Sequence, residues 1–543
     1  MLFLNISNTS SKCLVFSHAK VLSSCINSGI KVNSCLHFSL FPGAADHNVS
    51  DGKGSRTSSN VLPFRSIPGP PCLPLLGSLL PYKLGIKKLD YYHEYLRGLY
   101  EKYGPVVRED LGPTTIVHIF DPMDIDKIYK STTVPHIAPL LQTAKEYKMK
   151  KGASQGIGNT NGAEWERLRK AVNKFTLRPQ FVNRYIPVQD DVAREAVSLL
   201  HKRLLKDDGS VPLLEQLLDR VVTESLHRIV LGSGLGSLDP QRQSADDLAI
   251  TLAFSNKRIF ELSTHLKLST GLYRKFPTLK SKKLWQLNDL LYGTLHELCS
   301  AAAFAKGAAA VSGDEEQARD DSLMHHMMHD NALDGKDYVT IISSFLTDAY
   351  VTTVPSLLGA LHLLAVSPDV QEQLRHEALS VCPRQERLTH THVAAATKLA
   401  AFFKESLRIY PIGDSVQRLV TEDMVIKNYL LPAGTCLDLN VYIWLRDAAV
   451  FPEPERVRLE RWARPPEGGV TDAFQPIMNT PFSTGVRTCV GRRLALHDMS
   501  CFILRLLQRY RISQSPVTSP RQVYRVLLRP QVLPRSLKFH PVS

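Results

Sequence analysis

The sequence predicts a mainly α-helical fold with a small β-rich lobe, an α+β class, and three patterns support this prediction. An amphipathic helical pattern over 91–103 is followed by two short β-branched segments, 106–109 and 115–119, which predict a hairpin. A mostly apolar stretch over 339–366 is long enough for a helix that crosses a whole domain. Further helical patterns lie at 188–205 and 213–231. The order of these elements places a small β-region beside a helical body.

Charge and cysteine usage narrow the class of protein. The chain has 543 residues and a formal net charge of +14, which favours an acidic partner or an anionic membrane surface. Its basic residues are spread along the chain without a zinc-finger or RNP-type motif, so we expect no nucleic-acid binding. The nine cysteines are an odd number without paired spacing. They therefore predict a reducing compartment and no disulfide framework.

The N-terminal segment indicates the subcellular location of the protein. Residues 1–45 contain no Asp or Glu, are rich in serine and include three lysines. They lack both a transmembrane-length apolar run and the apolar core of a secretory signal. This composition predicts a mitochondrial transit peptide at 1–45, with a disordered tail as the alternative. A polar linker over 46–66 then leads to the rigid turn Ile67-Pro68-Gly69-Pro70-Pro71, where a single folded domain over 67–543 is predicted to begin.

The next segments predict a loop and then a helix. Residues 131–160 lack clear periodicity and contain several Gly, Pro and Lys residues, which predicts a long loop. Asn161 has a side chain suited to capping a helix that begins near Gly162. On that helix Trp165 and Arg169 are four residues apart and share one face. Taken alone, such a pair usually indicates surface packing.

Two stretches in the middle of the chain have unusual composition. Residues 257–283 contain eight basic residues and one acid, interleaved with apolar side chains. This pattern fits a solvated face or insertion at an anionic membrane surface, and we favour the membrane. The low-complexity stretch 302–321 is predicted to be a surface loop.

The long apolar helix contains the sequence Asp348-Ala349-Tyr350-Val351-Thr352-Thr353. Asp348 lies four residues before Thr352, so the two share a face. Pro355 has no N–H group, which leaves the carbonyl of Val351 without its helical partner and favours a kink. A kink at this point would admit a water molecule beside Thr352.

The stretch Phe482-Ser-Thr-Gly485-Val-Arg487-Thr-Cys489-Val-Gly491-Arg492-Arg493 predicts a loop that presents one cysteine and then becomes a helix. Gly485 and Gly491 allow the tight, positive-φ backbone that wraps a thiol. The helix N-terminus and the positive charge of Arg487 are expected to stabilise a thiolate at Cys489. Such a loop suits one axial thiolate on a haem iron, and a buried structural cysteine is the alternative.

The complete spacing Phe-x-x-Gly-x-Arg-x-Cys-x-Gly resembles the haem-binding loop of the cytochrome P-450 superfamily, the haem-thiolate monooxygenases. The resemblance covers roughly residues 67 to 543, with the main motifs in order. It implies one haem b between a long distal helix and the proximal Cys loop, and Cys489 as the metal ligand. The cofactor-binding residues it implies are Trp165, Arg169 and Arg418 at the haem propionates, and Phe482, Arg487, Cys489 and Gly491 in the loop.

The same resemblance suggests catalytic and structural roles. Thr352 matches the threonine that hydrogen-bonds dioxygen and relays protons, but Val351 stands where the family has an acid. We hypothesise that Asp348 delivers protons instead; contact with substrate or solvent is the alternative. The family also has a buried charge triad, and the residues that match it are Glu405, Arg408 and Arg461.

The run Cys-x-Gly-Arg492-Arg493 resembles the mitochondrial class, which takes electrons from a small acidic ferredoxin. The predicted docking residues are Lys404, Arg492 and Arg493, although Ala400 occupies the place of a second docking lysine. The resemblance implies a peripheral enzyme on the matrix side of the inner membrane that hydroxylates a steroid- or sterol-like lipid with dioxygen. Residues 159–165 look closest to arthropod ecdysteroid hydroxylases. Substrate contacts are expected from 131–160, 345–349, 412–416 and 527–533.

Two other functions stay open at this point. A haem-thiolate isomerase or dehydratase needs no dioxygen, and Val351 favours it while Thr352 counts against it. A catalytically degenerate haem-binding protein would bind haem and turn over no lipid. A demand for dioxygen and external electrons would separate the three functions.

Overall fold

The computed structural model describes residues 61–73, 77–111, 114–131, 136–137, 141–241, 247–267, 272–312, 321–462, 481–516, 519–531 and 536–542. The predicted transit peptide and residues 46–60 of the predicted linker lie outside the described residues.

Helices dominate the described residues, which confirms the predicted class. The first eight are α1 (Leu80–Lys83), α2 (Tyr92–Tyr103), α3 (Pro122–Lys130), α4 (Gln142–Lys150), α5 (Gly162–Thr176), α6 (Pro179–Val182), α7 (Ile186–Leu199) and α8 (Leu214–Leu231). They are followed by α9 (Leu248–Lys267), α10 (Leu279–Ser312), α11 (Leu323–Met328), α12 (Gly335–Val366), α13 (Pro368–Val381), α14 (His390–Ala395), α15 (Thr397–Ile409) and α16 (Arg492–Leu507). We call α12 the distal helix and α16 the proximal helix.

The strands form a small β-region, as predicted. They are β1 (Val106–Leu111), β2 (Thr114–Ile119), β3 (Val416–Leu419), β4 (Met424–Ile426), β5 (Tyr429–Leu431), β6 (Cys436–Leu439), β7 (Tyr510–Gln514), β8 (Gln522–Arg525), β9 (Leu527–Pro530) and β10 (Leu537–Pro541). The predicted hairpin is β1–β2, with Val106 opposite Ile119. It belongs to a four-stranded sheet of order β1-β2-β6-β3, in which β2 and β6 run parallel. Three two-stranded sheets pair β4 with β5, β7 with β10 and β8 with β9.

The Pro-rich turn packs directly on this sheet. The N–H of Arg108 donates to the carbonyl of Pro68 at 2.9 Å. A Cβ atom at Gly69 would lie 1.9 Å from the carbonyl oxygen of Arg108, so this close approach requires glycine. Leu62 forms a bridge with Tyr429, so the last residues of the predicted linker belong to the β-region.

A buried ion network lies inside the four-stranded sheet. The ring nitrogens of His118 lie 3.1 Å from a Glu109 oxygen and 3.0 Å from an Asp438 oxygen. All three residues are buried. The second oxygen of Asp438 accepts a hydrogen bond of 2.7 Å from the hydroxyl of Ser415. The network therefore fixes the segment between α15 and β3 on the sheet.

The distal helix is the central core element. It begins with a capping box in which the Asp334 side chain accepts a hydrogen bond of 2.8 Å from the Asp337 N–H. By length and composition it could span a membrane, but 78% of its most apolar window is buried inside the protein. It therefore serves as a core helix, packed against α8, α10 and the proximal helix. Pro355 lies within the helix without interrupting it.

The structure corrects two loop predictions. The segment 131–160 contains α4, whose buried face combines Ala144 and Tyr147 with Lys148. A lysine on the buried face breaks the apolar periodicity, which is why the sequence pattern predicted a loop. The predicted loop over 302–321 is also wrong in part, because α10 continues to Ser312 through alanines that favour helix. Residues 313–320 lie outside the described residues.

Candidate active site

A cavity of about 510 Å³ lies between the distal helix and the loop before the proximal helix. Its wall includes every residue that the sequence assigned to catalysis or cofactor binding. These residues are Trp165, Arg169, Asp348, Thr352, Arg418, Phe482, Arg487, Cys489 and Gly491. The structure therefore brings together side chains from α5, the distal helix, β3 and the Cys loop.

The Cys loop is held by backbone contacts. Gly485 has a φ of +72°, and a Cβ atom there would lie 2.3 Å from the carbonyl oxygen of Tyr129. The N–H of Cys489 donates to the carbonyl of Phe482 at 2.9 Å. Gly491, in contrast, has a φ of −82°, so the predicted need for a positive φ is wrong at this position. A Cβ atom there would approach Phe345 within 3.8 Å and Cys489 Sγ within 4.0 Å, so glycine leaves room around the thiol.

The thiol of Cys489 is exposed to this cavity. Burial raises its pKa, whereas the N–H groups of Gly491 and Arg492 and the charge of Arg169 lower it. The charge of Arg169 thus assists the thiolate, and the contribution of Arg487 stays a prediction. Because burial outweighs these contributions, a stable thiolate needs a further positive charge at Sγ. A metal ion bound to Sγ provides such a charge, so the thiol fits the role of an iron ligand.

Three guanidinium groups converge on the same cavity. Arg169 and Arg418 are buried, and each donates to a carbonyl oxygen, that of Thr488 at 2.5 Å and that of Gln417 at 3.0 Å. Arg487 donates to the side-chain oxygen of Asn161 at 2.8 Å. Burial and the like charges of Arg418 and Arg169 lower the pKa of Arg487 to about 9. The cluster is therefore a site for anions.

Two donors in this cluster lack acceptors among the described residues, namely the indole N–H of Trp165 and the Nε–H of Arg169. Buried donors normally have partners, so they need acceptors that enter the cavity. Two carboxylates on a planar macrocycle supply both the acceptors and the negative charge. The residues present therefore fit haem b, with the propionates at these donors and the iron at Cys489.

The distal side of the cavity has one carboxyl group on the distal helix. Thr352 Oγ1 donates to the backbone carbonyl of Asp348 at 2.8 Å, so the two residues share a face as predicted. Burial raises the pKa of the Asp348 carboxyl to about 6, and the ammonium of Lys148 opposes this shift. Val351 packs with Phe260 and Val526. The position of the usual acid is therefore filled by an apolar contact.

The sequence missed two titratable residues near this site. Lys148 is buried on α4, and burial lowers its pKa. The sequence did not predict this burial because Lys148 lies in a Lys-rich stretch. Asp498 lines the cavity from the proximal helix, accepts a hydrogen bond from Ser225 and has a pKa raised by burial to about 7. A single acid in an apolar helix was the only signal for Asp498.

The structure brings the three residues of the charge triad together in a buried position. A Glu405 oxygen lies 2.9 Å from Arg408 and 3.1 Å from Arg461. The indole N–H of Trp462, which the sequence did not assign to this cluster, donates to the other oxygen at 3.0 Å. Arg408 also donates to the carbonyl of Leu445 at 2.7 Å. This carboxylate thus accepts hydrogen bonds from three side chains.

The three predicted docking residues differ in exposure. Lys404 is exposed, and its ammonium lies 5.5 Å from the centre of the Trp462 ring. Arg492 and Arg493 are half-buried at the start of the proximal helix. Burial and the neighbouring Arg492 lower the pKa of Arg493. Arg493 is therefore a less accessible cation than the sequence suggested.

All four segments predicted to contact substrate contribute to the cavity wall. The residues are Ile137, Ile157 and Gly158; Phe345, Asp348 and Ala349; 412–416; and Leu527. Residues 132–135, 138–140 and 532–533 of these segments lie outside the described residues.

Comparisons with known proteins agree with this geometry. A family model described as "Cytochrome P450" matches residues 67–537. "Probable cytochrome P450 CYP44" of Caenorhabditis elegans is 31% identical over 497 residues, which cover 89% of this chain and 96% of that protein. "Cholesterol side-chain cleavage enzyme, mitochondrial" of Equus caballus is 28% identical over 518 residues, or 92% and 94% of the two chains. "Cytochrome P450 11B1, mitochondrial" of Rattus norvegicus is 28% identical over 458 residues, or 83% and 87%. The chain therefore belongs to the cytochrome P-450 family and is a haem-thiolate monooxygenase with haem b as cofactor and dioxygen as co-substrate.

Proposed function

We propose that this monooxygenase hydroxylates a steroid- or sterol-like lipid with electrons from a mitochondrial ferredoxin. The observation that carries the proposal is the cavity of about 510 Å³, which joins the cofactor-binding residues to an apolar wall. Ile157, Ile412 and Leu527 are examples of that wall. A compact, largely apolar lipid is the ligand that such a wall favours. The relatives named for cholesterol side-chain cleavage add support for a sterol.

When bound, haem b supplies the activation of dioxygen and the insertion of one oxygen atom into a C–H bond. The thiolate of Cys489 would bind the iron, and Arg169, Arg418 and Arg487 would hold the propionates. The hydroxyl of Thr352 donates to the Asp348 carbonyl and must turn from it to pass on its proton. We propose that Thr352 releases this proton to the reacting oxygen atom, that its own oxygen receives one from the Asp348 carboxyl, and that the carboxylate recovers a proton from solvent. A carboxyl with a pKa of about 6 suits this exchange near neutral pH.

If Asp348 delivers protons, the variant Asp348→Asn should have a specific catalytic defect. The amide keeps the shape of the side chain but has no ionisable proton. We expect slower product formation and more hydrogen peroxide per electron consumed. Unchanged values of both quantities would exclude Asp348 from proton delivery. The matched control is Ser344→Ala, which removes a hydroxyl one turn earlier in the same cavity wall.

We propose a mitochondrial location on the matrix side of the inner membrane. The acid-poor, Ser-rich N-terminal segment supports this location, as do relatives whose names include "mitochondrial". An acidic ferredoxin would dock through Lys404 and Arg492, with a weaker contribution from the half-buried Arg493. Lys404→Glu should raise the ferredoxin concentration that gives half-maximal reduction. Lys336→Glu, an equal charge change at the start of the distal helix, is the control.

The proposed membrane contact lies between α9 and α10. Phe276 and Leu279 are 73% and 87% exposed, which is unusual for large apolar side chains. They lie beside exposed lysines, namely Lys275, Lys280, Lys282 and Lys283. Three other cations of the basic stretch form ion pairs instead: Lys257 with Asp219, Arg258 with Glu261 and Arg274 with Glu146. Phe276→Ser with Leu279→Ser should weaken sedimentation with cardiolipin vesicles, while Phe304→Ser, at an exposed position elsewhere on α10, should not.

The test of the proposed activity is ferredoxin-supported turnover on a panel of sterols and steroids. Ecdysteroid precursors belong in the panel because residues 159–165 resemble arthropod ecdysteroid hydroxylases. Product mass and hydrogen peroxide are read together. Oxygenated product with little peroxide would support the proposal. Product formed without dioxygen or ferredoxin would favour an isomerase or dehydratase, and haem binding without any turnover would favour a degenerate protein.

A further inference from the structure

We propose that Asp348 accepts a hydrogen bond from a hydroxyl group of the lipid substrate, close to the carbon that is oxidised. The enzyme would then select alcohols over lipids that lack a hydroxyl at that place. This inference rests on the proposed function, because it takes the cavity beside Thr352 as the lipid site.

The first reason is that the carboxylate of Asp348 has no donor within the described part of the chain. It lines the cavity, and its side chain accepts no hydrogen bond from the described residues, since the hydroxyl of Thr352 donates to its backbone carbonyl instead. The nearby hydroxyl of Ser344 is also committed, since it donates to the carbonyl of Thr340 at 2.8 Å. An ionised carboxylate is an acceptor only, and leaving it unpaired once an apolar lipid fills the cavity is costly. A donor must therefore come from the contents of the cavity.

The second reason is the position of this carboxylate. Asp348 lies one helical turn before Thr352 on the same face of the distal helix. Asp348, Thr352 and Cys489 all line the one cavity. The carboxylate therefore lies in the same cavity as the residue proposed for proton transfer and the thiol that would bind the iron. A donor that reaches it lies near the reacting carbon.

The third reason concerns the charge of that donor. The buried ammonium of Lys148 acts on Asp348 from α4 and favours its ionised form. A cationic amine would add to this positive charge and would be repelled. A neutral alcohol supplies the hydrogen without adding charge, so we assign the donor as a hydroxyl.

The side chains around Asp348 allow its carboxylate to distinguish lipids that carry the hydroxyl from lipids that lack it. Over 341–349 the distal helix also lines the cavity with Ile341, Phe345 and Ala349, which offer no acceptor, and with Ser344, whose hydroxyl donates to the carbonyl of Thr340. A lipid without the hydroxyl would displace water from Asp348 and leave it unpaired. Sites of this kind reject the analogue that lacks the polar group more strongly than an apolar pocket rejects a changed methylene.

The experiment compares matched lipids by binding rather than by turnover. The haem-loaded enzyme is titrated with cholest-5-ene, cholesterol and 22-hydroxycholesterol, and each dissociation constant is read from the shift of the haem absorption band. These probes add first a ring hydroxyl and then a side-chain hydroxyl to one skeleton. We expect one added hydroxyl to tighten binding about ten- to a hundredfold, the range of a hydrogen bond to a charged group. Asp348→Ala should remove that difference, whereas Ser344→Ala should keep it.

Either of two results would overturn this inference and leave the proposed function intact. One is lipid binding in the wild-type enzyme without a preference for either hydroxyl, as would occur if a retained water molecule satisfied Asp348. The other is a hydroxyl preference that survives in Asp348→Ala. The wild-type titration decides the first case even if the variant fails to retain haem. If none of the three sterols shifted the haem band, the steroid-like substrate would be contradicted, and this inference would fall with it.

Discussion

The guanidinium group of Arg487 lies 3.6 Å from the centre of the Trp165 indole ring. This contact joins the Cys loop to α5, two parts of the chain that the sequence assigned to the same cofactor. Arg487 also donates to the side-chain oxygen of Asn161, which accepts in turn from the N–H of Ile137. Asn161 thus stands at the helix start, as predicted, but its side chain makes no cap hydrogen bond and holds the loop instead.

Removal of this cation should loosen the cofactor. Arg487→Ala loses the stacking on Trp165, the bond to Asn161 and a positive charge beside the propionate donors. Stacking of a cation on an aromatic ring and a charged hydrogen bond each contribute about 1 to 2 kcal/mol, so we expect haem to dissociate at least tenfold faster. The measurement is the rate of haem transfer to apomyoglobin. Arg456→Ala, at an exposed arginine, is the control, and equal rates in the two variants would contradict this role.

The charge triad should control folding rather than chemistry. Glu405 accepts hydrogen bonds from Arg408, Arg461 and Trp462. Glu405 and the two arginines are buried. Glu405→Gln leaves two guanidinium groups without a carboxylate, and breaking such a buried pair costs about 3 to 5 kcal/mol. We expect little soluble, haem-loaded protein. Glu453→Gln removes an exposed carboxylate that pairs with Arg456 and Arg458, and it should lower the yield far less.

The features that the sequence predicted well are those encoded in a short stretch. The spacing around Cys489 predicts the loop because the φ of +72° at Gly485 is a local backbone requirement. The Trp165–Arg169 spacing fixes a helix face in the same way. The Glu405–Arg408 pair is local as well, and it could be extended to Arg461 only through the resemblance to a family.

The features that the sequence did not predict depend on distant partners. His118 looks like an ordinary strand residue until β1 and β6 place Glu109 and Asp438 on its two nitrogens. Lys148 looks like a surface lysine because its burial depends on α10 and the distal helix. The apolar packing of Val351 also needs residues from α9 and the turn before β9. In each case, tertiary contacts decide the chemistry.

Lys148 should set the pH range in which Asp348 works. The ammonium of Lys148 favours the ionised carboxylate and so holds the pKa of Asp348 near about 6. Lys148→Met removes that charge, which raises the pKa of Asp348 further. If Asp348 delivers protons in its protonated form, the ratio of product to peroxide falls as pH rises through this pKa. The fall should occur at higher pH in Lys148→Met.

The measurement is the product-to-peroxide ratio at a series of pH values with one fixed substrate. Tyr292 and Cys489 also interact with Asp348 and are unchanged in the variant. Lys150→Met is the control, because Lys150 is exposed on the same helix and lies over the ring of Trp285. An identical midpoint in Lys148→Met and wild type would show that the ammonium does not govern this carboxyl.

The stability of the β-region should fall on the alkaline side because of His118. Burial lowers the pKa of this imidazole, but the flanking carboxylates of Asp438 and Glu109 together outweigh burial and raise the pKa from 6.5 to about 9. A folded-state pKa above the unfolded value means that protonation stabilises the fold. That stability is fully present below about pH 6.5 and is lost as pH rises through about 9. His118→Gln should be less stable than wild type at neutral pH and should show a flatter dependence over this range. Hydrogen exchange of the β1 and β2 amides, measured from neutral to alkaline pH, tests this prediction, and parallel profiles for the two proteins would refute it.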